Sequence, residues 1–238
     1  MPLPKISTPT YELEIPSTKK KIRYRPFLVK EEKILIIAME SQSDTEIANA
    51  VKDVLSTCIL TKGVKVDTLS TFDIEYLFLN IRGKSVGEDV EVLVTCPDDN
   101  KTKVPVRINL DDIKIITHDD HKRDIKLDDS LLMRMRYPSI NEFIKSNFST
   151  SEVKSEDTFD LIISCIEQIF NDEESWSTSD CTKEEMNDFL DQLNSNQFKE
   201  IEKFFDTMPK LSHTVKVTNP KTKVESEVVM EGLASFFA

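Results

Sequence analysis

Residues 70–83 run STFDIEYLFLNIRG. Ser70 or Thr71 is placed to cap a helix over 72–82, and Gly83 marks the end of that helix. Few polar positions interrupt it, so we predict that it is the most buried helix of the N-terminal half. A charge that is buried without a partner is costly, so the charged residues inside the helix need partners. These residues are Asp73, Glu75 and Arg82.

Strands are predicted on both sides of this helix, because apolar and polar residues alternate there. One antiparallel hairpin pairs 11–15 with 21–25, and a second pairs 90–95 with 103–110. Further strands are expected over 113–116 and 131–137, on either side of a polar loop.

The helical period predicts two more helices before residue 70. They cover 29–41 and 44–60, with Asp44 as the cap of the second and Gly63 stopping it. Helices and hairpins thus lie in separate blocks, which is typical of an α+β fold.

The segment over 149–208 is predicted to be helical, with a short helix before it. Residues 149–155 are rich in serine and charge, as linkers are. The predicted helices cover 140–147, 155–170, 183–193 and 195–206.

A last hairpin follows, and it echoes an earlier one. The stretch VKVTNP at 215–220 matches VLVTCP at 92–97, and each precedes a turn and a second alternating strand. A true internal repeat and two separate hairpins that follow the same turn rules are equally good explanations of this match. A short apolar helix ends the chain, and Phe236 and Phe237 either pack in the core or contact a neighbouring chain.

We therefore predict an α+β fold in three parts. An N-terminal domain of helices and antiparallel β-hairpins covers 1–148. An acidic helical segment covers 149–208, and a C-terminal β-hairpin with a short helix covers 209–238.

The net charge of −12 is concentrated in one part of the chain. Residues 151–208 hold 16 acidic and 4 basic residues, whereas the rest is near neutral. This balance argues against a broad nucleic-acid footprint, which needs clustered cations. A solvated helical face and a surface for a basic partner are the two interpretations. The longest apolar run, 34–39, is too short to span a membrane.

Motifs that carry chemistry are incomplete. Gly83-Lys84-Ser85 resembles the end of a phosphate loop, but Phe78 stands where the loop needs another glycine. His118 and His121 flank two aspartates in a polar segment without obvious packing to orient metal ligands. Cys96 has no second cysteine nearby to complete a zinc knuckle. We therefore expect no catalytic residue, no metal ion and no cofactor.

Three stretches carry a family resemblance. They are RPFLVKEEK at 25–33, FDIEYLFLNIRGKSVGE at 72–88 and EGLASFF at 231–237. Together they resemble the baseplate hub and hub-assembly proteins of contractile-tailed, T-even-type bacteriophages. The resemblance runs the length of the chain and is densest from about residue 15 to 110.

The resemblance implies a non-enzymatic role in assembling the central hub of the tail baseplate. The chain would be a hub subunit or an assembly factor, its partners would be other hub proteins, and neither nucleic acid nor membrane would be involved. It would be located in the virion tail baseplate, in the host cytoplasm during assembly, or in both. The alternative that the charge itself favours is an acidic adaptor or chaperone for a basic protein.

Two dense charged stretches beside apolar helices are candidate partner-binding surfaces. Ion pairs within the molecule, fixing helix to hairpin, are the structural alternative. Together with the two terminal phenylalanines, the candidate residues are Arg25, Lys30, Glu31, Glu32, Arg82, Lys84 and Glu88.

Overall fold

The computed structural model describes residues 6–41, 43–142, 155–232 and 235 of the 238-residue chain. The chain forms two compact units, one of Met1–Ile116 with Lys210–Ala238 and one of Thr117–Pro209. The C-terminal hairpin thus belongs to the N-terminal unit, and residues 117–148 group with the acidic segment. The three-part division expected from the sequence, 1–148, 149–208 and 209–238, stays a prediction.

The first unit begins with a hairpin and three helices. Strands β1 (Tyr11–Glu14) and β2 (Lys21–Tyr24) pair antiparallel. Helices α1 (Val29–Glu40), α2 (Asp44–Cys58) and α3 (Thr71–Val86) follow. The mixed α+β fold, the first hairpin and the three helices predicted from the sequence are confirmed.

Two boundaries of α2 differ from the prediction. Ser43, not Asp44, caps the helix, and its hydroxyl accepts from the backbone N–H of Glu46. The helix ends at Cys58 instead of 60, because Ile59 leaves the helical path to form a β-bridge with Tyr24 of β2.

The same unit contains two further sheets. Strands β3 (Asp89–Thr95) and β4 (Lys103–Asn109) form the predicted second hairpin. In the other sheet, β10 (Lys210–Thr218) lies between β11 (Glu225–Glu231) and β5 (Lys114–Ile116), and all pairs are antiparallel.

These hairpins and α3 share a buried apolar core. Alternate side chains of the strands point into it, as the predicted alternation requires. Its buried members are Leu79, Val90, Val92, Val94, Ile108, Leu110, Ile113, Leu211, Val215, Val217 and Met230.

The two hairpins that echo each other in sequence meet at their turns. The Asn219 side-chain amide donates to both carboxylate oxygens of Asp98, at 3.0 Å each. The Thr222 hydroxyl donates to Asp98 at 2.5 Å. Asp98 therefore joins the turn that follows β3 to the turn that follows β10.

Helix α3 extends further than its sequence suggests. Gly83 does not end it, and Gly83 itself is helical and buried. The helix continues to Val86, and Gly87 ends it with φ 116°, a left-handed backbone conformation that glycine adopts without strain.

The fully buried carboxylate of Asp73 fastens the start of α3. It accepts from the backbone N–H and the hydroxyl of Ser17, at 2.9 and 2.5 Å, and from the hydroxyl of Ser70 at 2.5 Å. Ser17 lies in the turn between β1 and β2, and Ser70 is the helix cap. The predicted need for a partner is thus met for Asp73 by the first hairpin.

The second unit contains an antiparallel sheet of four strands in the order β6-β7-β8-β9. The strands are β6 (Asp124–Lys126), β7 (Leu132–Met135), β8 (Ile166–Phe170) and β9 (Ser175–Ser177). Strand β6 lies in the segment that the sequence predicted to be a polar loop. That prediction was wrong for these three residues, because Ile125 is buried and pairs with Met133.

Three helices complete the described part of this unit. They are α4 (Ser155–Cys165), α5 (Lys183–Asp191) and α6 (Ser195–Thr207). The prediction of one helix over 155–170 was wrong for its last five residues. Residues 166–170 form β8, because Ile166 and Ile169 are buried in a sheet with β7 on one side and β9 on the other.

Some predictions lie outside the described residues. They are the end of the helix over 140–147, most of the linker, and the C-terminal helix with Phe236 and Phe237.

We expect Asp73→Ala to lower the free energy of unfolding of the full chain by about 3 kcal/mol. The change leaves the Ser17 N–H and the hydroxyls of Ser17 and Ser70 without their charged acceptor. Urea unfolding followed by circular dichroism measures the loss. Asp53→Ala, on an exposed position of α2, is the matched control and should change stability by less than about 0.5 kcal/mol. Equal effects of the two changes would contradict this role of Asp73.

Candidate functional site

The first charged stretch is built around an ion pair between Arg25 and Glu31. After β2, the Arg25 backbone N–H donates to the carbonyl of Cys58, which fixes the chain against the end of α2. The Arg25 guanidinium donates to Glu31 at 2.8 Å and to the carbonyl of Pro26 at 2.9 Å. Arg25 therefore joins the end of the first hairpin to the first turn of α1.

Glu31 is buried and fully engaged. Its second carboxylate oxygen accepts from the backbone N–H of Leu28 at 2.8 Å, so it caps the start of α1. Burial opposes ionisation of this carboxyl group. Hydrogen bonds from Arg25, from the Leu28 N–H and from Lys30 outweigh burial and lower the pKa of Glu31 to about 2. Glu31 is thus a charged structural residue with little surface of its own.

Lys30 and Glu32 are the more accessible members of this stretch. The Lys30 ammonium lies 3.3 Å from Glu31, but 68% of its side chain is exposed. Glu32 is half-buried on the same helix. Lys30 is therefore the residue here that can change partners at little cost.

The second charged stretch lies at the end of α3. Lys84 and Glu88 form an ion pair with each other, and both are partly exposed. Hydrogen bonding to Glu88 raises the pKa of Lys84. Arg82 is half-buried, and burial lowers the pKa of its guanidinium.

One hydrogen bond brings the two stretches together. The backbone N–H of Phe27 donates to the Ser85 hydroxyl at 2.9 Å, and that hydroxyl donates to the carbonyl of Ile81 at 2.6 Å. Residues 25–32 and 82–88, far apart in sequence, therefore lie side by side in the fold. The ion pairs expected as the structural alternative are present here, between Arg25 and Glu31 and between Lys84 and Glu88. The partner-binding role of this place stays a prediction.

Helix α1 also presents an apolar surface that sequence reasoning did not identify. Six consecutive apolar residues, 34–39, point in all directions around a helix, so some of them must face solvent. This apolar run is the signal in the sequence that could have revealed the exposed surface. The exposed apolar side chains of α1 are Val29, Ile34, Ile36, Ile37 and Met39.

His121 has a structural environment in the second unit. The Thr207 hydroxyl donates to the carbonyl of Lys203, so it accepts from His121 Nδ1–H at 2.9 Å. His121 Nε2 then accepts from the Tyr137 hydroxyl at 3.0 Å, and the ring stacks on Tyr137. Among the described residues, no group of three or more His, Cys, Asp or Glu side chains is arranged to hold a metal ion.

The second unit carries the whole net charge of the chain. It holds 22 acidic and 10 basic residues, whereas the first unit holds 21 of each. Trp176 and Phe159 are exposed on this acidic unit. Charge is thus separated between the two units and not only between sequence segments.

The described helices include none that is long and apolar enough to cross a bilayer. The described residues present charged, acidic and apolar surfaces on an α+β scaffold.

The family is found by comparison of the whole chain. The family model of the T4 bacteriophage base plate protein matches residues 8–238, and the chain belongs to this family. It therefore has a structural or assembly role in a phage baseplate, in association with other baseplate proteins. No curated protein and no solved structure matches the chain.

We expect the stability of the second unit to fall as the pH drops below about 6.5. Burial, with Arg123 nearby, lowers the pKa of His121 from 6.5. His121 therefore takes up a proton more readily in the unfolded chain than in the folded unit. Denaturant unfolding followed by the fluorescence of Trp176, the single tryptophan, measures this between pH 7 and about 5.

In this experiment His121→Gln should reduce the pH dependence, and His118→Gln, at an exposed position, should leave it unchanged. An unchanged pH dependence in His121→Gln would show that another group is responsible.

Proposed function

We propose that this protein acts in assembling the central hub of the phage baseplate, as a hub subunit or as an assembly factor, and that it does so without catalysis. Membership of the baseplate family supports a role of this kind. The resemblance of the three quoted stretches to hub and hub-assembly proteins narrows the proposal to the hub. Mass spectrometry of purified virions distinguishes a permanent subunit from an assembly factor that acts in the host cytoplasm.

The observation that carries the proposal is the meeting of residues 25–32 and 82–88 in one place. The Phe27–Ser85 hydrogen bond holds the two stretches together, and the ion pair between half-buried Arg25 and buried Glu31 fixes them to the scaffold. Such a rigid base with exposed charges at its edge suits docking, because little side-chain order is lost on binding. We propose that Lys30, Glu32, Lys84 and Glu88 contact another hub protein.

Co-expression with the hub proteins of the same phage tests this function. We expect the wild-type chain to capture at least one hub protein, and Lys30→Ala with Glu32→Ala to weaken capture about tenfold. Glu91→Ala with Lys103→Ala, on exposed positions of the second hairpin, is the matched control and should capture normally.

The outcomes separate the function from the surface. If the wild-type chain captures no hub protein and hubs form normally without it, the hub function is wrong. If the wild-type chain captures a hub protein and both double variants capture it equally well, the function stands and this docking surface is wrong.

The alternative, an acidic adaptor or chaperone, is favoured by the concentration of charge in the second unit. It predicts capture of a basic protein that weakens steeply between low and high salt, because surface charges are screened. Binding that does not change with salt concentration would count against this alternative.

A further inference from the structure

Helix α1 exposes more apolar surface than the other described helices. Ile37 is 66% exposed and Ile36 is 49% exposed, and three more large apolar residues of this helix face solvent. Single exposed apolar residues are ordinary, but a concentration of them on one helix marks a contact surface.

Two charged residues flank the exposed isoleucines on one face of α1. Lys33, Ile36, Ile37 and Glu40 are spaced i, i+3, i+4 and i+7, so they share one side of the helix. All four are exposed. Within the part of the chain that the structure describes, no ion pair includes Lys33 or Glu40.

Glu40 is placed unfavourably for an isolated helix. It lies at the C-terminal end of α1, where the helix dipole disfavours a negative charge, and the last turn has no basic residue to offset it. A cation brought in from outside would stabilise this position.

Along α1 these four residues are a cation, two isoleucines and an anion. The same four residues on a second helix that runs in the opposite direction are complementary to them. When two copies of α1 pack antiparallel about a two-fold axis between residues 36 and 37, Ile36 of each copy faces Ile37 of the other. Lys33 of each copy then faces Glu40 of the other, and the helix dipoles also oppose each other favourably. In such a dimer Lys33 of each copy supplies the cation that Glu40 of the other copy lacks.

We infer that α1 is the contact between two copies of this chain, packed antiparallel through Lys33, Ile36, Ile37 and Glu40. A helix of 12 residues is only about 18 Å long, so the interface is small. The dimer should therefore be weak, and its population should depend on protein concentration and on salt. This inference is independent of the proposed hub function.

Sedimentation velocity of the full chain over a range of concentrations tests the contact. Lys33→Glu and Glu40→Lys should each weaken self-association about tenfold, because each creates two like-charge contacts per dimer. An equimolar mixture of the two single variants should associate like the wild type, since the mixed dimer has two opposite-charge contacts. The double variant should also associate like the wild type.

The apolar part has its own matched pair of variants. Ile37→Asp should abolish self-association, whereas Leu93→Asp, at a position 57% exposed on β3, should not affect it. Circular dichroism checks that each variant is folded. A wild-type chain that is monomeric at all concentrations overturns the inference, and a mixture that stays monomeric overturns the antiparallel arrangement.

Discussion

The carboxylate of Asp73 is the interaction on which the first unit depends. It is fully buried, and its hydrogen bonds join the turn of the first hairpin to the cap of α3. Because α3 packs into the core beneath the other hairpins, this carboxylate ties the N-terminal hairpin to that core, beside the β-bridge between Tyr24 and Ile59. The ion pair between Arg25 and Glu31 then links the end of this hairpin to the first turn of α1.

Function follows from what this scaffold exposes. Arg25 and Glu31, which help to hold the scaffold together, are paired with each other, whereas Lys30 and the apolar side of α1 are exposed. The second unit adds a surface that carries the whole net charge. As a member of the baseplate family, the protein associates with other baseplate proteins.

Local patterns in the sequence were enough for the elements whose neighbours lie close in the chain. The hairpins at 11–24 and 89–109 and helix α3 follow from alternation and from the helical period. Strand β8 could not be predicted in this way, because its partner strand β7 lies about thirty residues earlier in the chain. A short apolar stretch directly after a helix also shows no periodicity that would distinguish a strand from more helix. Gly83 was a misleading stop signal, because it is helical and buried within α3, which ends at Gly87.

The candidate site was predictable in its residues but not in its arrangement. The charged stretches at 25–33 and 82–88 stand out in the sequence, whereas the Phe27–Ser85 hydrogen bond that joins them is a product of the tertiary fold. The exposed face of α1 was hidden because apolar residues are ordinarily expected inside.

Hydrogen exchange of the full chain tests the central role of Asp73 most directly. The Ser17 amide lies in a turn, where amides ordinarily exchange fast, but here it donates to a buried carboxylate. We predict that it exchanges as slowly as the amides in the middle of α3, through unfolding of the whole unit. A Ser17 amide that exchanges as fast as an exposed turn, while α3 stays protected, would contradict the account.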